Sequence, residues 1–310
     1  MNAFLVTLFA VAILLATAAP GFIFVKRGMV SERCTADFSK VLLFVCQPCL
    51  AIDTFSDATF SWQMLFNIGI FLLATIAIHA VMLIGSCLVL RKKFKDAAYR
   101  ILTISTAFAN CAFFGIPILK ALSLASDGLL LYTTVYALIM NLLGWTVGSA
   151  IISGDTRYIT VKKMFINPTF IGTLIALPLF LFSIPLPEKL ADMIGIIASM
   201  TSPLSMIIMG MRLATTSAKT VFASAKTYLA VLAKGFIMPL FGFLIVYFLP
   251  LPTEVKATFF VITACPTASI VLNFSELIGE GQREAAASVL LSTILSIVTL
   301  PIMVLLIPLL

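Results

Sequence analysis

Ten runs of predominantly apolar residues, near 3–25, 38–55, 62–90, 100–122, 129–152, 165–184, 190–213, 226–249, 256–278 and 285–309, follow one another with only short polar stretches between them. About 20 apolar residues cross the ~30 Å hydrocarbon core of a bilayer as a helix, the one open-ended structure that satisfies its own backbone there. The runs therefore predict an all-α polytopic membrane protein with ten transmembrane helices. Composition closes the soluble alternative: 61% of the 310 residues are hydrophobic and 11% charged, and the mean hydropathy is +1.15. A soluble core of this length cannot hide that much apolar surface.

The formal net charge of +7 raises the question of nucleic acid, but the Lys and Arg residues stand in short clusters between apolar runs. There they set topology and meet anionic headgroups, so lipid and not nucleic acid is the expected partner. Sixteen of the 20 basic residues fall on one side of the predicted spans, from Lys26 and Arg27 through Lys92, Lys163 and Arg212 to Arg283. Only Lys120, Lys189 and Lys256 fall on the other, and Lys234 lies inside the eighth run. The asymmetry predicts a multi-pass protein of the cytoplasmic (inner) membrane with both termini extracytoplasmic. Ala16-Thr17-Ala18 imitates a signal-peptide cleavage site, yet no basic residue precedes that run and Lys26-Arg27 follow it, so it reads as a retained helix.

Ten spans divide into two sets of five, and an odd number per set makes the halves inverted. Residues 1–153 form the first expected repeat, 154–164 a cytoplasmic linker and 165–310 the second. Pro48 in the second span answers Pro203 in the seventh, and Pro117 in the fourth answers Pro266 in the ninth. Gly115-Ile116-Pro117 should break the fourth helix, because Pro removes an intrahelical hydrogen bond and Gly loosens the backbone. Cys265-Pro266-Thr267 should break the ninth, with hydroxyls close by to satisfy the freed groups. Broken helices at matching places in inverted halves point to a site for a translocated solute. The candidate substrate residues are thus Asn110, Cys111, Gly115, Pro117, Cys265, Pro266 and Thr267.

The same segments carry a resemblance. Asn110-x4-Gly115-Ile116-Pro117 resembles the fourth-helix element of the auxin efflux carrier family, which includes the plant PIN proteins and many bacterial permeases. Ala264-Cys265-Pro266-Thr267-Ala268 is similar to the family's ninth helix, and Thr201-Ser202-Pro203-Leu204 through Gly210-Met211-Arg212-Leu213 to its seventh. Ser292-Thr293-Ile294-Leu295 through Pro301, Asn167-Pro168 and Val45-Cys46-Gln47-Pro48 resemble its tenth, sixth and second. The resemblance runs in order along the whole chain, but the long cytoplasmic loop of many plant members is absent. It implies two inverted five-helix repeats with broken, crossing fourth and ninth helices. It also implies a dimerising scaffold of helices 1, 2, 6 and 7, hence a homodimer, and a transport unit of helices 3–5 and 8–10 that slides against it as an elevator. The implied activity is secondary transport of small organic anions, chiefly carboxylates.

Cys46-x-x-Cys49 lies in an apolar span with no second Cys pair or His cluster, so it reads as packing and not as a metal or redox site. His79, the lone histidine, is a candidate proton carrier or a hydrogen-bonded structural residue. For Lys234, snorkelling to the interface competes with anion attraction or gating. Gln47, Asn141 and Asn273 should bond between helices. Thr263, Thr267, Ser269 and Asn273 surround Pro266 and could hold sodium through neutral oxygens, or simply satisfy the backbone; sodium or proton coupling is left open and no cofactor is expected. No H-E-x-x-H, G-x-S-x-G or pair of mid-span aspartates is present, which argues against an enzyme. The rival is a membrane receptor or sensor that binds a small carboxylate without net transport.

Overall fold

A computed structural model of the chain describes residues 2–125, 128–155, 157 and 167–310, and the described residues are helical throughout apart from turns and one isolated bridge. Most of the expected linker at 154–164 lies outside the described residues. In chain order the helices are α1 (Ala3–Lys26), α2 (Cys34–Ser56), α3 (Trp62–Lys93), α4 (Ala97–Ala107), α5 (Cys111–Ala121) and α6 (Leu129–Ser153). They continue with α7 (Pro168–Leu181), α8 (Glu188–Thr215), α9 (Ala225–Tyr247), α10 (Thr253–Ala264), α11 (Ile270–Ile278) and α12 (Gln282–Leu309).

Among the described residues seven of these helices, α1, α2, α3, α6, α8, α9 and α12, are long and apolar enough to cross a membrane. Three expected spans depart from a single long helix, for two reasons. The fourth is split into α4 and α5 and the ninth into α10 and α11. The sixth is described only as the 14-residue α7.

Three prolines leave the same mark on their helices, whereas Pro178 in α7 and Pro301 in α12 lie within plain α-helix. Three of the π-helical turns, Leu42–Cys46 in α2, Cys111–Gly115 in α5 and Ala233–Ile237 in α9, each end two residues before a proline: Pro48, Pro117 and Pro239. A proline cannot donate to the carbonyl four residues earlier, and widening the preceding turn absorbs the lost bond without breaking the helix. This corrects the position of the fourth-span break. Gly115 and Pro117 lie inside helical structure, and the chain opens earlier, at Phe108–Asn110, where Phe108 is extended.

Two helix pairs are sealed by glycine. A Cβ on Gly21 of α1 would overlap the Ile207 carbonyl of α8, and one on Gly210 of α8 would overlap the Ala18 carbonyl of α1. A Cβ on Gly172 of α7 would likewise overlap the backbone of Pro48 of α2, at 2.6 Å. Absence of a side chain lets these backbones touch, the usual route to tight helix association in lipid. Around the other side, α3, α4, α6, α9 and α12 pack about the broken helices and enclose the main buried core.

Candidate functional site

The two breaks meet. Asn110 donates its backbone N–H to the Pro266 carbonyl at 2.8 Å, and Ala268 donates to the Phe108 carbonyl at 2.9 Å. Between them Ala109 and Thr267 form an antiparallel bridge, so two opened segments satisfy each other as a minimal two-stranded contact. Irregular backbone at membrane depth survives only where such partners are supplied by protein.

The groups freed at the helix ends are answered one by one. Thr267 donates its N–H to Ser292 Oγ at 3.0 Å and its hydroxyl to the Ser105 carbonyl at 3.0 Å, on the last turn of α4. At the end of α10 the task falls to Lys234. Its ammonium donates to the Thr263 carbonyl at 2.7 Å and the Cys265 carbonyl at 2.6 Å, and the residue is fully buried. A cation at a helix C-terminus is favoured by the helix dipole. The snorkelling alternative is therefore overturned: Lys234 sits within a π-helical turn of α9 and extends inward to the break, not outward to the interface.

The second halves open differently. Cys111–Phe113 at the start of α5 and Ser269–Ile270 at the start of α11 line one cavity of about 40 Å³, together with Asn110, Gln47, Asn141 and Asn273. That volume holds ordered water or the head of a carboxylate, on a scale where about 10–15 Å³ admits one water. Both helix starts bring partial positive charge to it. The Asn110 side chain is 4% exposed, and its amide nitrogen has no partner among the described residues.

A narrower cleft adjoins this cavity and shares Leu43, Phe113, Ser269 and Asn273 with it. It adds Ser39, Ser205 and Arg212. Arg212 donates to Glu276 at 2.8 Å and to the Asn273 amide oxygen at 3.2 Å, while its Nε and the Ser205 hydroxyl are buried without partners among the described residues. In the sequence Arg212 stands out as one of the basic residues of the topology count and as part of the seventh-helix element Gly210-Met211-Arg212-Leu213, and Ser205 does not stand out at all. The signal available was the placement of Arg212 within the apolar seventh run, after Gly210.

Of the residues singled out from sequence, Asn110 and Cys111 line the cavity, whereas Gly115, Cys265, Pro266 and Thr267 are packed into the crossing itself. Gly115 faces the Cys265 sulfur, which would stand 3.3 Å from an added Cβ, and Pro117 lies two residues further along its helix. Thr263, Thr267, Ser269 and Asn273 do not converge on one point. Thr263 bonds back to the Phe260 carbonyl at 2.7 Å and Thr267 to Ser105, while Ser269 and Asn273 face the cavities. His79 is fully buried, its Nδ1 2.7 Å from the Thr75 carbonyl and its ring against Tyr136 and Phe108. Gln47 accepts from Thr169 and Asn141 from Asn167, the expected bonds between helices.

Comparison with known proteins agrees with this architecture. A family model described as membrane transport protein matches residues 6–163 and 155–304. No curated protein matches the chain.

Proposed function

Because the chain belongs to the membrane transport protein family, the auxin efflux carrier type, whose members are transporters and not enzymes, we propose that it is a secondary transporter of small organic anions, chiefly carboxylates. The observation that carries the reading is the cavity at the crossing, which two helix starts line together with Asn110, whose buried amide nitrogen has no partner among the described residues. Half-helix N-termini and an amide donor suit a carboxylate, and Arg212 next door, though paired with Glu276, keeps its Nε without a partner among the described residues.

Two inverted five-helix repeats, residues 1–153 and 165–310 about the 154–164 linker, underlie the fold in this reading. Pro117 and Pro266 correspond 149 residues apart, and Gly21 and Gly172 correspond at a similar interval of 151. The exchange of partners supports it: α1 packs on α8 as α7 packs on α2. These four helices form the scaffold and the dimer contact, and α3–α6 with α9–α12 form the unit that slides as an elevator. The basic loops face the cytoplasm and both termini lie outside the cytoplasmic membrane, in keeping with the sixteen-to-three charge asymmetry. Lys234 takes carbonyls that a sodium ion would need at the ninth-span break, which favours a fixed internal cation there over sodium bound by Thr263 and Thr267.

Counterflow of labelled malonate, lactate or an indole carboxylate in proteoliposomes tests the proposal. Accumulation of label against unlabelled internal anion supports a carrier; saturable binding with no flux for any of them supports the sensor reading instead.

A further inference from the structure

Away from the crossing, α3, α4 and α9 enclose an open groove of about 560 Å³ that the transport reading does not use. Its walls are apolar, with Val81, Val89, Leu229 and Phe241 among them. The two hydroxyls on its floor, Ser86 and Thr106, bond to each other at 2.8 Å, so the interior presents no donor to a soluble anion. Charge is confined to one end. Lys93 and Lys226 flank the Tyr99 ring there, their ammonium nitrogens 4.9 and 5.1 Å from its centroid.

Beyond Lys226 lies a polar pocket of about 190 Å³ lined by Thr220, Ser224, Thr227, Arg283 and Glu284. The Thr227 hydroxyl is fully buried and has no partner among the described residues. Asp96 and Glu284 each stand 3.9 Å from the Lys226 ammonium, too far to saturate its donors. An apolar trough with a cationic mouth and an adjoining polar pocket has the polarity of one lipid molecule, with acyl chain, phosphate and headgroup in line.

We infer that this groove is a binding site for an anionic glycerophospholipid with a hydroxylated headgroup, of the phosphatidylglycerol kind. An acyl chain lies between α3 and α9, the phosphate accepts from Lys93 and Lys226, and the headgroup enters the pocket beside Thr227 and Arg283. Headgroup hydroxyls donate to Asp96 and Glu284, the two carboxylates that a headgroup without donors would leave opposed to its phosphate. The exposed apolar flanks, Val89 at 81% and Leu229 at 71% exposure, make the groove a part of the lipid-facing surface and not a path to the crossing.

Gly85 provides a clean way to block it. It lines the groove, and a Cβ built there meets nothing within 4 Å, so Gly85→Leu fills the trough without strain on the fold. The experiment is native mass spectrometry of the delipidated, detergent-purified full chain offered phosphatidylglycerol, phosphatidylethanolamine or phosphatidylcholine of matched chains. The wild type should retain one phosphatidylglycerol about tenfold or more in preference to phosphatidylcholine, the order expected of two interfacial ammonium groups. Lys93→Gln and Lys226→Gln should erode that preference, and Gly85→Leu should abolish the tight adduct while leaving thermal unfolding unchanged. Lys93 makes no ion pair among the described residues, so Lys93→Gln and Gly85→Leu decide the matter even where Lys226→Gln fails to fold. Glycerophosphoglycerol, which lacks acyl chains, should not compete. Equal retention of the lipids, a preference for phosphatidylethanolamine, competition by the free headgroup, or an adduct unaffected by Gly85→Leu would each overturn the assignment.

Discussion

Lys234 reaches from α9 to the end of α10 and donates to the Cys265 carbonyl at 2.6 Å, one residue before the proline at which the ninth span opens. The same ammonium holds the Thr263 carbonyl, so a single buried side chain satisfies two acceptors released by the break. Thr267 does the corresponding work for Ser105 on α4 with a neutral hydroxyl. One half of the crossing is thus held by a charge and the other by an uncharged group.

Replacing Lys234 should therefore damage the crossing. Lys234→Met leaves both carbonyls buried without a donor, at about 1–3 kcal/mol for each group left unmade. The expected outcome is a lowered unfolding temperature in detergent, together with loss of uptake. Wild-type unfolding in that variant would show that the contact with Thr263 and Cys265 is not structural.

Asn110 should behave in the opposite way. Its backbone N–H, which Asn110→Ala retains, makes the bond to Pro266; the side-chain amide nitrogen has no partner among the described residues. Stability should change little. Affinity for a carboxylate should fall by about 1.5–3 kcal/mol, the worth of a hydrogen bond to a charged ligand. Titration by calorimetry separates the two effects, and unchanged affinity would remove Asn110 from the site.

Arg212 acts on charge. Arg212→Gln should weaken binding of a carboxylate but not of its neutral amide analogue, because Glu276 and Asn273 leave the Arg212 Nε without a partner among the described residues. Its effect should change little as salt is raised, since the Arg212 side chain is only 12% exposed and a buried charge is screened weakly. An equal loss for both ligands would point to a packing role.

Gly210 tests the scaffold. An added methyl overlaps the Ala18 carbonyl, a backbone atom that cannot swing away, so Gly210→Ala forces α1 and α8 apart. Overpacking of this kind costs about 1–3 kcal/mol. Thermal unfolding should register it, whereas Gly69→Ala, where a Cβ meets nothing within 4 Å, should be neutral.

The sequence made some of this visible and hid the rest for physical reasons. Apolar run length is a property of local sequence, so α1, α2, α3, α6, α8, α9 and α12 are where hydropathy puts them. Pro266 marks its break because the extended Cys265 and the proline ring exclude helix at the same place. Pro117 misleads, since a π-helical turn absorbs it and the opening at Phe108–Asn110 is fixed by a partner 150-odd residues away. The direction of a long side chain is likewise non-local. Nothing near Lys234 says that it points to Cys265, and the place of Arg212 in an apolar run after Gly210 marks it as unusual without saying that it borders a cavity with Ser205.

The claim that the crossing binds the transported anion is tested most directly by a structure determined with a brominated carboxylate that the protein transports, located by its anomalous signal. The carboxylate should lie within hydrogen-bonding distance of the Asn110 amide, between the starts of α5 and α11, with occupancy lost in Asn110→Ala. Bromine bound elsewhere, with the cavity beside Asn110 and Ser269 filled only by water, would contradict it.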